Sequence, residues 1–548
     1  MPGRYTVTAT GQAARHLAAP AGLPPGMSRS WFVGPWELSV ATAHVPPTPR
    51  DGHVLLVESA AQAAALPWHR WRQALVLSAT RHFRDELRAA GHAVDHRVAA
   101  SYADAIRAHV AEHHPSEVLV QQPADWGVAQ SVAALGREWE ATGGPRLTIL
   151  PDRRFLTSRE AFGRWAHGRK LFRMEDFYRW QRRRLGILVD GNGEPVGGTW
   201  NLDRENRQGA RALKRRGVPA PPVGFPPDEV TSAVIAEVAA MDAKWGRADG
   251  FDLPVTRAQA LAALDDFLAH RFADFGPYED AMLAGETFLY HSRLSAAMNV
   301  GLLHPREIVD RAVEAAAGGA VPLASLEGFV RQVIGWREYV NGIYWLRMPA
   351  YRAVNYFGFT RPLPQAYWDP SATDLACLAD SVRMVRDHAF AHHIHRLMVL
   401  CNFATLAGVH PLRLSEWFWA AFADAWEWVE LPNVVGMGTY GDGGVLASKP
   451  YVSSAAYISR MSDYCGGCRY DPGARTGADA CPFNYLYWTF LDDVRTRGLD
   501  VGQRMALVLR QVEKLPAGEL RAMHEARAAF LARLEPDRTG WTFDHDAG

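Results

Sequence analysis

The sequence lacks the features that mark membrane and secreted proteins. Its 548 residues contain no run of eighteen apolar residues, which excludes a membrane-spanning helix of ordinary length. The first 30 residues also lack the continuous apolar stretch of a signal peptide. We therefore interpret residues 1–28 as a flexible tail, with Met27 as an alternative start, and expect a cytoplasmic protein with no membrane association.

The sequence also has no excess of positive or negative charge. The 59 basic and 59 acidic residues cancel, so nothing global attracts this protein to a polyanion, and any contact with nucleic acid must be local. Within residues 53–150 neither GxGxxG nor GxxxxGK[ST] occurs, which gives no support for a dinucleotide or phosphate-binding loop there. Tryptophan, in contrast, is abundant at 19 copies, which suits a large core, stacking on ligands or electron transfer.

Cysteine is scarce, and its placement is informative. Five copies suit a reducing cytoplasm better than a disulfide framework. Four of them are Cys377, the pair Cys465 and Cys468, and Cys481, which precedes a proline. A single CxxC pair with two further thiols is more typical of iron–sulfur ligation than of a zinc ribbon, which usually brings two such pairs. The alternative is a set of scattered buried free thiols.

The hydrophobic pattern predicts an α/β domain joined to an all-α domain. Over residues 53–150 the apolar runs HVLLVES, QALVLSA, EVLVQQ and RLTILPD alternate with amphipathic segments, which predicts a doubly wound, Rossmann-like parallel sheet over residues 29–155. Residues 156–250 are rich in Arg, Gly and Pro and are interpreted as a long connection. Residues 251–548 show helix after helix with apolar spacing i, i+3, i+4 and i+7.

Several motifs together carry a family resemblance. They are YHSRLSAAMNVGLLHPREIV (290–309), IGWREYVNGIYW (334–345), HAFAHHIHRLMVLCNF (388–403), EWVELPNVVGMGTY (427–440), SATRHF (78–83) and GGTWNLDRENR (197–207). With them, the sequence resembles the photolyase/cryptochrome superfamily, and the four cysteines narrow the resemblance to its iron–sulfur bacterial branch. The resemblance implies an N-terminal antenna-type domain and a helical domain that binds FAD and a [4Fe–4S] cluster.

The resemblance also implies an activity. We expect a monomeric flavoenzyme of the bacterial cytoplasm that uses blue light to reverse (6-4) photoproducts in UV-damaged DNA, double- or single-stranded. The alternative is a cryptochrome-like photoreceptor without repair activity. A third class, an iron–sulfur DNA-processing enzyme such as a primase subunit, would bind no flavin.

Nine residues are implied to hold FAD. Small hydroxyl residues at a helix start suit a phosphate, and a Trp–Arg pair suits stacking beside a flavin. A protonated carboxyl group near the ring could donate a hydrogen bond to it. The residues are Ser292, Leu294 and Ser295 for the pyrophosphate, and Gln332, Trp336, Arg337, Glu430, Asn433 and Met437 for the ring and its surroundings.

The histidine-rich segment is open to two interpretations. By resemblance, His392, His393, Arg396 and, less directly, Tyr451 face the lesion, with His393 managing a proton, a task that suits an imidazole near neutral pH. Alternatively, His388 and His392 stand at i, i+4 on one helix face, as zinc ligands can. No acidic partner for them is evident in the neighbouring sequence.

Two further assignments rest on the resemblance. Trp417 beside the flavin and Trp368 further out are implied to carry electrons. Phe418 stands where a tyrosine often follows, so the route is expected to pass through Trp368 or Trp419. Asp203 and Asp280 are implied to hold Mg²⁺ beside the lesion, because two carboxylates facing phosphates would otherwise repel DNA.

The residues for a ribityl-lumazine antenna are replaced in this sequence. Trp36 stands where an Asp is expected, and Gln62 and Ala65 stand where Glu and Tyr would hold the lumazine. Hydrogen-bond acceptors and a stacking ring are thus lost together. The sequence therefore predicts a pocket that is empty or that takes another chromophore.

Overall fold

A computed structural model describes residues 28–46, 49 and 52–538. The predicted tail, residues 1–28, lies outside the described residues except for Ser28. The described part of the N-terminal half forms one five-stranded sheet in the order β3-β2-β1-β4-β5, with every neighbouring pair parallel. This order is that of a doubly wound sheet and confirms the predicted fold class. The strands are β1 Arg29–Val33, β2 Gly52–Ser59, β3 Ala93–Ala99, β4 Glu117–Gln121 and β5 Arg146–Leu150.

The centre of the sheet is buried on both faces. Phe32 of β1 lies between Leu55 of β2 and Val120 of β4, and all three side chains are buried. Strands that are covered on both sides read as continuous apolar runs rather than as alternating ones. The helices that cover them are α1 Ala60–Ala64, α2 Arg70–Ala89, α3 Tyr102–His113 and α4 Trp126–Thr142.

One predicted strand is wrong and two strands were missed. The run QALVLSA lies inside α2, a 20-residue helix, because a short apolar run cannot be distinguished from a buried helix segment by period alone. The edge strand β3 (AVDHRVA) has three consecutive polar residues at its centre, and none of its residues is buried. The short strand β1 was hidden next to the predicted tail.

The predicted connection contains four helices and packs on both domains. It contains α5 Arg159–Ala166, α6 Met174–Leu185, α7 Ala210–Arg216 and α8 Glu229–Ala239. Helix α8 packs on α2 of the sheet domain, whereas α5 and α6 pack against the helical domain. The connection therefore fastens the two domains together.

The rest of the described chain is helical, as predicted. Helix α9 begins at a capping box, in which Thr256 and Gln259 each accept a hydrogen bond from the other's backbone N–H. Within the described residues, the structure has no helix with the length and apolar character needed to cross a membrane. The helices are α9 Arg257–His270, α10 Phe272–Tyr278, α11 Ser295–Asn299, α12 Pro305–Ala316, α13 Leu323–Val330, α14 Arg337–Arg347, α15 Ala376–His388, α16 Asn402–Ala407, α17 Pro411–Ala421, α18 Glu427–Glu430, α19 Ala455–Met461, α20 Pro482–Thr496, α21 Gln503–Val512 and α22 Ala517–Arg533.

Three stretches of the described chain are wound as π-helix: Arg331–Trp336, His395–Cys401 and Leu431–Gly438. Such segments are rare and occur often at functional sites, because the wider turn re-aims side chains that a regular helix would point elsewhere. All three contribute residues to one cavity.

Candidate active site

The helical domain encloses a cavity of about 2390 Å³. An ordinary small-molecule pocket measures about 300–1,000 Å³, so this cavity has room for a large cofactor together with part of a substrate. Eight of the nine residues predicted to hold FAD line it, and so do all the residues predicted to face the lesion or Mg²⁺. The exception is Leu294, which is buried in the core. The lining residues are Ser292, Ser295, Gln332, Trp336, Arg337, Glu430, Asn433, Met437, His392, His393, Arg396, Tyr451, Asp203 and Asp280.

Asp424, which was not predicted from the sequence, organises one wall of the cavity. Its carboxylate accepts two hydrogen bonds from the Arg396 guanidinium, at 3.1 and 3.0 Å, and one from the Ser295 hydroxyl at 2.7 Å. Its backbone carbonyl accepts from the Asn299 amide at 2.7 Å. Arg396 also stacks over the Phe422 ring at 4.1 Å. These contacts hold Arg396 in one orientation, and the only hint in sequence is an acid within the apolar run FADAW.

Glu430 is a buried carboxyl group rather than the end of a surface helix. The chain continues past it as the π-helical segment Leu431–Gly438, with Pro432 in its first turn. Burial raises the pKa of Glu430 to about 8, against the opposing effect of the Arg396 charge. Among the described residues its Oε1 atom has no hydrogen-bond partner. At neutral pH the side chain is therefore a neutral acid with an O–H to donate.

The histidines form a cluster in which only one is favoured to be charged. The rings of His291 and His392 stack at 4.3 Å, and burial lowers the pKa of each well below its ordinary value. Burial opposes a charge on His393 too, but its 3.3 Å hydrogen bond to Asp280 and the nearby Glu279 outweigh that effect and raise its pKa. The ring nitrogens of all three histidines lie within 4.8 Å of one another, close enough to share a metal ion.

The interpretation of His388 and His392 as a pair on one helix face is wrong. Helix α15 ends at His388, and Ala389 adopts a left-handed conformation with φ of 49°. His388 therefore packs between Trp71 and Phe288, at 5.7 and 5.2 Å, away from the stacked histidines. It is His393 of the same segment that has an acidic partner, Asp280, which lies more than a hundred residues earlier in the chain.

The two acids predicted to hold Mg²⁺ already have cationic neighbours. Asp203 forms an ion pair with Arg207 and lies 3.4 Å from a guanidinium nitrogen of Arg331. Asp280 is paired with His393. Because both carboxylates are already paired, they repel DNA less than unpaired carboxylates would. Charge repulsion is therefore a weaker reason to expect a divalent ion here than it was from the sequence alone.

The aromatic side chains form a path that leads from the cavity towards the surface. Phe418 lines the cavity, and Trp417 lies behind it with the ring centroids 5.1 Å apart. Trp245 lies 6.4 Å from Trp417 and 5.5 Å from Trp368, and its indole N–H donates to the Trp368 carbonyl. Trp417 therefore does not form the cavity wall, and Trp245, which the sequence analysis missed, connects the two predicted tryptophans.

The four predicted cysteines surround a second, small cavity. Cys377 comes from α15, Cys465 and Cys468 from the turn after α19, and Cys481 caps the start of α20. Burial raises the pKa of Cys377 well above its ordinary value and that of Cys481 to about 12, and the neighbouring thiols add to both shifts. Such thiols stay protonated and inert unless a cation takes the place of their protons.

Trp36, which stands where the resemblance led us to expect an acid, is buried at the domain boundary. This ring is buried between the sheet and the helical domain and contacts Tyr102 at 5.9 Å and Trp426 at 6.0 Å. Gln62 belongs to α1, and Ala65 follows directly after this helix. The substitutions noted in the sequence thus place a large apolar ring, rather than an acid, at the domain boundary.

Comparison with known proteins agrees with this architecture. The family described as "Deoxyribodipyrimidine photo-lyase-related protein" matches residues 35–253. A protein of Agrobacterium fabrum named (6-4) photolyase is 41% identical over 489 residues, which cover 88% of this chain and 94% of that protein. A class III photolyase from Agrobacterium tumefaciens has a TM-score of 0.55 at 15% identity, covering 94% of this chain and 99% of that one.

A cryptochrome from Synechocystis has the same TM-score, 0.55, at 12% identity, and covers 94% of this chain and all of that one, 100%. At such low identity these two structures establish the shared fold alone. The chain thus has the two-domain fold of those photolyase and cryptochrome structures, with a large cavity in its helical part. Given the long alignment at 41% identity, the chain belongs to the photolyase family.

Proposed function

We propose that this protein is a light-dependent DNA-repair enzyme that reverses (6-4) photoproducts. The observation that supports this most is His393, a histidine favoured in its charged form, held by Asp280 on the wall of the large cavity. The Agrobacterium fabrum relative named (6-4) photolyase supports the choice of lesion.

The cavity residues fit FAD. Buried polar atoms that have no hydrogen-bond partner among the described residues converge on it, including Glu430 Oε1, Arg337 Nε and Asn299 Oδ1. Because unsatisfied buried polar groups are costly, they indicate a polar ligand that completes them. When bound, FAD would supply the light-excited electron for the repair. Glu430, Asn433 and Met437 would surround its ring, and Ser292 and Ser295 its phosphates.

The residues of this chain would supply protons and position. His393 would donate a proton to the lesion, since the Asp280 hydrogen bond raises its pKa and favours the charged form. His392 would stay neutral and could accept a hydrogen bond. Arg396, fixed by Asp424, would present its guanidinium to the flipped-out base or its phosphate.

DNA contact would come from local cations, because the net charge is zero. Basic side chains from several segments line the cavity and would meet backbone phosphates beside the lesion. They are Arg173, Arg179, Arg204, Arg207, Lys449, Arg460 and Arg504.

For the second cavity we propose a [4Fe–4S] cluster held by Cys377, Cys465, Cys468 and Cys481. It would tie α15 to the segments around α19 and α20, so its role would be structural. A Mg²⁺ ion at Asp203 and Asp280 stays a prediction, and it would have to compete with Arg207 and His393 for the same carboxylates. We propose that no lumazine antenna binds, since Trp36 fills the domain boundary.

Repair is tested by illuminating the purified protein with blue light in the presence of an oligonucleotide that carries one (6-4) photoproduct. We expect restored thymines in the illuminated sample and none in the dark. An oligonucleotide with a cyclobutane dimer serves as the control substrate and should stay unrepaired. No restored thymine from a flavin-loaded preparation would contradict the proposal and favour the alternative of a photoreceptor without repair activity.

A further inference from the structure

A second group of histidines lies in the α/β domain, away from both cavities. His109 and His113 stand at i, i+4 near the end of α3, and they face Asp95 of β3. The ligand atoms of these three side chains lie within 4.8 Å of one another. Two histidines on one helix face with a carboxylate opposite are a frequent arrangement for zinc and related ions.

The contacts around His109 suit a metal ligand. Its Nδ1 lies 2.6 Å from Asp95 Oδ2, and its Nε2 lies 2.7 Å from the hydroxyl of Ser30. A hydroxyl can donate or accept, so Ser30 can accept from Nε2–H once Nδ1 is bound to a cation. A metal-binding histidine usually has such a partner on its second nitrogen, which fixes the ring orientation.

The surroundings of His113 and Asp95 also suit the binding of a cation. His113 Nε2 is 3.4 Å from Asp95 Oδ2, and the ring of His53 stacks on His113 at 4.0 Å. Arg97 also contacts Asp95 Oδ2, at 2.6 Å, but it has a second acidic partner in Glu112. Arg97 therefore keeps an ion pair if a cation takes the Asp95 oxygen.

We propose that Asp95, His109 and His113 form a site for a divalent cation of the zinc class. Three protein ligands leave the fourth tetrahedral position for water. His109 is fully buried and His113 is about one-fifth exposed, so the site opens to solvent on the His113 side. The bound ion would fasten the last turn of α3 to β3. This proposal does not depend on the repair activity.

The test is a zinc uptake measurement on the full-length protein. Purified protein is incubated with Zn²⁺, passed over a desalting column, and analysed for zinc and iron together by mass spectrometry. We expect about one zinc per chain in the wild type that is lost in His113→Ala, with the iron content equal in both. Added Zn²⁺ should also raise the unfolding temperature of the wild type but not that of the variant.

The matched control is His114→Asn. His114 is exposed and adjacent to His113, and asparagine tolerates its left-handed backbone, so this variant should take up zinc like the wild type. Asp95→Asn provides a second loss-of-site variant, which should also lose the zinc. Equal zinc uptake by the wild type and His113→Ala, or no uptake by the wild type, would overturn the proposal.

Discussion

The two halves of the molecule treat buried polar groups differently. In the α/β domain the group around His109 is hydrogen-bonded internally, and Trp36 fills the space at the domain boundary. In the helical domain several buried polar atoms without partners among the described residues converge on one large cavity. Buried polar atoms without partners among the described residues also occur in the sheet domain, for example Trp36 Nε1 and Gln73 Nε2, but these residues do not line the large cavity. The helical half differs because its unpaired polar atoms lie around a space that a ligand can fill.

Replacing His393 is expected to have the largest effect on activity. His393→Ala removes the proposed proton donor, so the repair rate should fall by about 10²–10⁴-fold. Flavin content should not change, because the substitution removes a proton donor and leaves the proposed FAD-binding residues intact. The measurement is thymine restoration in the (6-4) oligonucleotide under constant illumination.

His388→Asn is the matched control for this variant, since His388 packs outside the cavity between Trp71 and Phe288. Its repair rate should stay close to that of the wild type. Equal losses in both variants would indicate a general structural effect and remove the special role assigned to the cavity histidines.

Loss of a cluster cysteine should affect stability before photochemistry. Cys481→Ser removes one of the four proposed iron ligands, and loss of a metal site is among the changes that cost more than about 4 kcal/mol. We expect low soluble yield and iron-free protein, measured by iron analysis and thermal unfolding. Cys401→Ser alters the fifth cysteine and should keep its iron. Full iron content in Cys481→Ser would contradict the proposed ligand set.

The raised pKa of Glu430 predicts a pH dependence of stability. The folded value is about 8, and the unfolded value is about 4.3. Between these values the folded protein binds the extra proton, so its free energy of unfolding decreases as the pH rises. Glu430→Gln removes this dependence and should lose less thermal stability than the wild type between pH 6 and pH 8.

Glu525→Gln, on the exposed surface of α22, is the control for that comparison and should follow the wild type. If the thermal stability of Glu430→Gln and of the wild type depends on pH in the same way, Glu430 is ionised in the folded protein. Glu430 would then no longer be an example of a buried neutral acid in the helical half.

The smallest expected effect concerns electron supply. Trp245→Phe interrupts the aromatic path between Trp417 and Trp368, so flavin photoreduction in the presence of an external reductant should slow several-fold. Trp419→Phe alters a tryptophan that contacts Trp68 and should leave the rate unchanged. If flavin photoreduction slowed in Trp419→Phe and not in Trp245→Phe, the electron path would run through Trp419 instead.

Local patterns predicted much of the fold and part of the site. The parallel sheet and the helical domain were predicted from the periodicity of apolar residues. The group of four cysteines was predicted from their spacing. The strand β3 was missed because an edge strand carries little apolar signal, and QALVLSA was misread because its length fits both a strand and a helix. Asp424, Asp280 and Trp245 were not recognised as partners because their contacts join segments far apart in the chain.

The π-helical segments could not be predicted either. A proline inside a helix usually breaks it, yet the chain continues through Pro432 as a wider helix, and Glu430 lies in the cavity wall. Whether a segment forms a π-helix depends on how it packs against neighbouring segments, and a π-helix leaves no simple apolar periodicity in the sequence.

A visible absorption spectrum of the purified full-length protein would show whether it binds both FAD and an iron–sulfur cluster. We expect flavin bands, with about one FAD per chain released on denaturation, on top of a broad iron–sulfur absorbance. A folded, colourless protein that releases no flavin and contains no iron would contradict this expectation.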